Sequence, residues 1–124
     1  MNDLGSFPDI ELAVVQTLAD LATTGTSTPP NLASAVPFVR VSKIGGPDSR
    51  FIDESRVDVD AFGIDRPTTQ ALAEACRQRL LNVPHVVAAG RIDSVTTDSG
   101  PREIPWGDPS VRHFVASYTI TARR

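Results

Sequence analysis

Residues Ser55 to Leu81, SRVDVDAFGIDRPTTQALAEACRQRLL, pass from an alternating pattern straight into a helical one. Val57, Val59 and Ala61 fall on one side of an extended chain and Arg56, Asp58 and Asp60 on the other, the period of a half-buried strand. Asp65 is placed to accept backbone N–H groups at the start of the next segment. Pro67 follows where a first-turn donor has no helical partner to lose. Leu72, Cys76 and Leu80 then recur at four-residue spacing, and Ala71, Ala75 and Leu81 widen the stripe. The reading is a strand, a capped turn and a helix that lies back on the strand's apolar face.

The remaining segments are read outward from this unit. Ser6-Phe7-Pro8-Asp9 fits a capping box, so a first helix is expected there, with Ile10, Val14, Leu18 and Leu21 on its apolar face and Gly25 as its stop signal. Thr23 to Ala35, TTGTSTPPNLASA, reads as a long connection rich in Thr, Ser and Pro. Pro37 to Ile44 is a strand with Val39 and Val41 on one side, and the Gly45-Gly46-Pro47-Asp48 turn makes it a hairpin with the strand that starts near Phe51. Beyond the helix, Ala89 to Asp98 is expected as a strand, Ser99 to Ser110 as irregular chain holding Trp106, and Arg112 to Ala122 as a final strand. In that last run Phe114, Ala116, Tyr118, Ile120 and Ala122 alternate with Val115, Ser117, Thr119 and Thr121. The expected fold is α/β (α+β), one domain over residues 1–124 in the order α-β-β-α-β-β, with a four-stranded mixed sheet and two helices packed on one face.

Composition bounds the function. A chain of 124 residues with 40% hydrophobic content suits one core, and a net charge of −3 with 22% charged residues gives no basic patch for direct sequence-specific nucleic-acid binding. The one cysteine, Cys76, excludes an intramolecular disulfide and sits on the helix stripe as a small core residue. No apolar run approaches the roughly 18 residues of a membrane span, and the start lacks the positive region of a secretory signal, so synthesis in the cytoplasm is expected. No phosphate-cradling glycine motif follows a strand, and His85, His113 and Cys76 are not at zinc-ligand spacing. Thr97-Asp98-Ser99-Gly100-Pro101 resembles the nucleophile segment of a serine protease, but lacks its flanking glycines and has no oriented histidine. No cofactor or metal is expected, and the chain is not expected to be an enzyme.

Several segments together carry a resemblance. VDVDAFG with the helix LAEACRQRLL, Ile92-Asp93-Ser94, Thr97-Asp98-Ser99-Gly100-Pro101-Arg102, the Pro105-to-Pro109 turn and the arginine-aromatic final strand resemble the tail terminator proteins of long-tailed, siphovirus-type phages infecting actinobacteria. The likeness spans most of the chain but not Thr23 to Ala35. It implies a small α/β virion protein that forms a homo-oligomeric, hexameric ring at the head-proximal end of the tail tube. There it would stop tube polymerisation and present a surface for head attachment, with the tail tube protein and the head–tail connector protein as partners. Related neck proteins share this general fold.

Candidate interface residues follow from the same strands and loops. Asp58 and Asp60 lie about 7 Å apart on one strand face. They could form a metal or acid–base pair, a solvated face with Arg40 or Arg91 as counter-charges, or a face that meets another subunit. Trp106 is either a loop anchor or an exposed interface residue. Arg102, Arg112, Arg123 and Arg124 gather around the last hairpin, whereas Asp3, Asp9, Glu11, Asp20, Asp53 and Glu54 come earlier, so a head-to-tail ring could match opposite charges. The alternative of another class is a small α/β enzyme or ligand-binding domain using Asp58, Asp60 and the Ser99 loop.

Overall fold

The computed structural model describes residues 9–45 and 53–123. Its elements are α1 (Ile10–Leu18), β1 (Thr23–Gly25), α2 (Leu32–Ala35), β2 (Phe38–Gly45), β3 (Asp53–Gly63), α3 (Arg66–Leu81), β4 (His85–Val87), β5 (Gly90–Glu103) and β6 (Arg112–Arg123). One mixed sheet takes the order β1-β2-β3-β6-β5-β4, in which β1 runs parallel to β2 and every other neighbouring pair is antiparallel. The expected four-stranded sheet with two helices is therefore corrected, among the described residues, to six strands and three helices.

The two additional strands are three residues long, too short to show a period. Thr23-Thr24-Gly25 pairs with Phe38-Val39-Arg40, so the segment read as a long connection supplies an edge strand and the short helix α2. Gly25 pairs in that strand and does not stop α1, which ends at Leu18. His85-Val86-Val87 folds back on Gly90-Arg91-Ile92, and Gly90 takes a φ of 152°, which glycine adopts without strain.

β5 also runs five residues beyond the expected end at Asp98, through Pro101 to Glu103. Proline is tolerated in edge strands and at bulges. β4 covers only Gly90 to Ile92, and the register of β5 against β6 shifts between Ser99 and Arg102.

The strand-turn-helix unit folds as its pattern dictates, with one rotation. Val57, Val59 and Ala61 are buried, and the Asp65 carboxylate accepts from Thr68 N at 2.8 Å to cap α3, with Pro67 in the first turn. The buried face of α3 is Thr69, Ala73, Cys76 and Leu80, whereas Leu72 and Leu81 are half-buried and Ala71 is exposed. The stripe is turned because the helix packs against β3, β5 and β6 together, whereas the sequence reading laid it on β3 alone.

α1 is capped by Asp9, whose carboxylate accepts from Leu12 N at 3.0 Å. Ser6 of the expected capping box lies outside the described residues, as do the Gly46-Pro47-Asp48 turn, Phe51 and Arg124.

The main core lies between the sheet and helices α1 and α3. It joins Ile10, Val14 and Leu18 to Val39, Val41, Val57, Val59, Cys76, Leu80, Tyr118 and Ile120. Burial of each large aliphatic side chain is worth about 1.5–3 kcal/mol, so this face is the principal source of stability. Burial also pushes the Cys76 thiol up to about 12, making it an inert core group.

Alternation sends Phe38 and Phe62 to the opposite face, where Leu32 of α2, Val111 and Trp106 cover them. At the end of β3 the chain passes very close to α3. A Cβ on Gly63 would stand 2.2 Å from Thr69 Oγ1, a hydroxyl held by its 2.6 Å bond to Asp65 O. Gly63→Ala should destabilise the fold by about 1–3 kcal/mol, measured by urea denaturation against the parent chain.

Candidate functional site

The sheet face opposite α1 and α3 divides into a covered end and an open remainder. At the covered end, register places Phe38, Phe62 and His113 in one row across β2, β3 and β6, and Arg40, Asp60 and Val115 in the next. Asp60 is buried. Its Oδ2 accepts from Arg40 Nε at 2.7 Å and from Arg40 Nη2, and its Oδ1 faces His113 Nε2 at 3.5 Å. That last separation is an electrostatic contact, longer than an ordinary hydrogen bond.

The Arg40 guanidinium lies 5.5 Å from the Phe62 ring centre and 5.7 Å from that of Trp106, within cation–π range of both. His113 stacks on Phe62 at 4.7 Å, with the planes 6° apart. Trp106 meets Phe62 edge-on at 4.8 Å and His113 at 5.1 Å.

Short-range chemistry holds the loop that carries Trp106. Ile104 N donates to His113 O at 2.9 Å, and the Asp108 carboxylate accepts from Ser110 N and Ser110 Oγ, closing a turn between Trp106 and Val111. Trp106 is half-buried and packs on its own domain.

On the open remainder the polar side chains satisfy one another. Asp58 accepts from Ser117 Oγ at 2.6 Å, Asp98 accepts from Thr119 Oγ1 at 2.7 Å with Arg56 at 3.8 Å, and Ser94 and Thr121 share a hydrogen bond. Asp58 and Asp60 therefore share a face but not an environment: Asp58 is half-buried in the hydroxyl network and Asp60 is inside the aromatic cluster. Arg40 supplies the counter-charge to Asp60, while Arg91 pairs with Asp93 at 2.8 Å.

Of the arginines grouped in the sequence, Arg102, Arg112 and Arg123 are not gathered in one place, and Arg124 lies outside the described residues. Arg112 and Arg123 stand at opposite ends of β6, roughly 36 Å apart at about 3.3 Å per residue. Arg102, exposed, donates to Ser99 Oγ at 2.7 Å. Arg112 shares Glu103 with Arg66, at 3.3 and 3.1 Å, and Arg66 comes from the first turn of α3. The sequence reading missed Arg66, Glu103 and the role of His113. The one available signal was the place of His113 on the same strand face as Ser117.

An apolar groove of about 480 Å³ runs beside the start of α3, lined by Leu21, Val36, Pro37, Phe62, Ile64 and Leu72 among others. Asp58, Asp60 and Ser99 are not part of it. Its carboxylate, Asp65, is held below the usual range by the backbone N–H and hydroxyl of Thr68 and serves as the helix cap. Among the described residues, no group of three or more His, Cys, Asp or Glu side chains is placed to hold a metal ion, and no helix is long and apolar enough to cross a membrane.

Burial pushes the Asp60 carboxyl up, but facing His113 and the bound Arg40 outweigh it and hold the group below the usual carboxylate range. Asp60 therefore stabilises the fold fully above the unfolded value near 3.8, and this contribution is lost as pH falls through the lower folded value. At pH 7, Asp60→Asn should cost about 1–3 kcal/mol, a range kept modest because Arg40 is partly solvated. Urea denaturation of both chains at a series of pH values should show the gap closing only below about pH 4.

No protein-family model matches the chain, and no curated protein matches its sequence. Among solved structures, the fold is similar to that of a chain from the virion of native gene transfer agent (GTA) particle. The TM-score is 0.63 at 16% sequence identity, and the match covers 93% of this chain and 95% of that one. The likeness is thus one of whole-chain fold, with both chains spanned nearly end to end.

Proposed function

We propose that this chain is a structural protein of a phage-like virion and, within it, the tail terminator. In this reading it forms a hexameric ring at the head-proximal end of the tail tube, ends tube polymerisation there and offers its outer surface to the head–tail connector protein. The observation that carries the reading is the end-to-end fold likeness to a chain of the gene transfer agent virion. The motif likeness to tail terminators, from the strand VDVDAFG to the final strand, narrows it from virion component to terminator.

The chemistry of the face opposite α1 and α3 is compatible with a scaffold role. Asp58 and Asp98 are engaged by neighbouring hydroxyls, and the buried Asp60 is engaged by Arg40. On this reading Asp58, Arg102, Trp106 and Arg112, with Arg123 at the far end of β6 and the Arg124 that follows it in sequence, supply subunit or partner contacts. Charged contacts of this kind would set register and orientation more than affinity. Asp60 contributes indirectly, by fixing the cluster on which Trp106 rests.

Two experiments test the proposal. In the parent phage, an early stop codon in this gene should give overlong or headless tails beside DNA-filled heads in negative-stain electron micrographs, reversed by a plasmid copy. Tails of normal length that fail to join heads would place the protein on the connector side of the neck, and intact infectious particles would refute a structural role. Separately, Trp106→Ala should lower stability by about 1–3 kcal/mol, since the ring is half-buried, and should also reduce incorporation into particles at a temperature where the variant is folded. Normal incorporation would assign Trp106 to the fold alone.

A further inference from the structure

Among the described residues, five large apolar side chains are exposed: Leu12, Ile44, Ile64, Val86 and Ile104. Strand direction places all five at the two ends of the sheet. β3 and β5 run opposite to β2 and β6, so Ile64 after β3 and Ile104 after β5 lie at the end where α3 starts. Ile44, near the end of β2, and Val86, paired with Arg91 at the start of β5, lie at the other. Leu12 joins them, because Glu11 beside it accepts from Lys43 N at 2.7 Å. The two ends are roughly 36 Å apart along the 11 residues of β3, at about 3.3 Å per residue.

The two ends differ in shape. At the α3 end lies the apolar groove of about 480 Å³, with Ile64, 70% exposed, on its rim. The turn that carries Ile64 is fixed on both sides, by the close passage of Gly63 at Thr69 and by the Asp65 cap. The groove is therefore formed before anything binds, which lowers the ordering cost of an occupant. The opposite end presents Leu12, Ile44 and Val86 as exposed apolar side chains.

Charge follows the same division. At the α3 end Asp65 and Asp108 are engaged in a helix cap and a turn, Arg66 and Arg112 share Glu103, and the exposed Arg102 donates to the Ser99 hydroxyl, so arginine exceeds the remaining carboxylate there. At the other end Asp9 caps α1 and Arg91 is matched by Asp93, while Glu11, Asp53 and Glu54 outnumber Lys43 and Arg123. A chain whose ends are complementary in shape and charge fits a second copy of itself head to tail, and such heterologous contacts make a ring when the rotation between copies closes.

We propose that the end bearing Leu12, Ile44 and Val86 docks into the α3-end groove of a second copy, with Ile64 on the rim of the contact and Arg66, Arg102 and Arg112 beside it. The inference rests on the ring reading for its closure and names the two surfaces that join neighbouring subunits.

Sedimentation velocity of the full chain should show concentration-dependent species larger than a dimer. Ile64→Asp and Ile44→Asp, both at exposed positions, should each be monomeric with unchanged far-UV circular dichroism. Each variant keeps one intact end, so an equimolar mixture should form a heterodimer and nothing larger. A parent chain that is monomeric at its highest soluble concentration, a folded variant that associates like the parent, or a mixture that stays monomeric would overturn the contact. Val86→Asp takes the place of Ile44→Asp if that variant does not fold. The virion reading is tested separately. Supplied from the plasmid to the stop-codon phage, both variants should fail to restore particles. Full restoration by either folded variant, beside a clear stop-codon defect, would overturn the contact alone, whereas absence of that defect would remove the virion role whatever the mixture shows.

Discussion

The structure depends on the need to cover β6 on both faces. This strand lies between β3 and β5, and His113 through Tyr118, Ile120 and Ala122 are all buried. One face, carrying Phe114, Ala116, Tyr118 and Ile120, is closed by α1 and α3 with ordinary aliphatic packing. The other face is not covered by α1 or α3, and its two ends are handled differently. Toward the end of β3 the Trp106 loop and α2 roof Phe38, Phe62 and His113, while farther along, short hydroxyl side chains bond to Asp58 and Asp98 and leave the face wet. Polar groups engaged by neighbours carry little desolvation penalty, so this half of the sheet is stable without a cover.

The contrast between Asp58 and Asp60 follows from this division. The two carboxylates are two residues apart on one strand and point the same way, yet one is half-buried among hydroxyls and the other is enclosed with a guanidinium, an imidazole and two aromatic rings. A buried carboxylate is tolerable here because both oxygens face cationic or ionisable neighbours. The same pairing puts Arg40 within cation–π range of Phe62 and Trp106, which ties the loop to the sheet.

The structure combines a helix-backed sheet with a surface loop whose position is set from beneath by Phe62 and His113. The likeness to a gene transfer agent virion chain persists at 16% identity, as expected when layer packing, rather than particular surface side chains, is what two chains share. Surface chemistry is then free to differ, and it includes the exposed Arg102 and the Glu103 carboxylate shared by Arg66 and Arg112.

Local patterns in the sequence determined the long elements. The alternation of β3 and β6, the Asp65 cap with Pro67, and the apolar repeats of α1 and α3 are written in nearest neighbours, because strand and helix periods are properties of contiguous residues. The β2–β3 hairpin and the burial of Cys76 were legible for the same reason. What only the tertiary structure decided were features without a local period: β1 and β4, three residues each and stabilised by pairing with β2 and β5; the passage of β5 through Pro101; and the rotation of α3 onto three strands. The candidate site belongs with these. Arg40, Asp60, Phe62, Trp106 and His113 come from β2, β3, β6 and a loop, and no spacing in the chain announces that registers between distant strands bring them together.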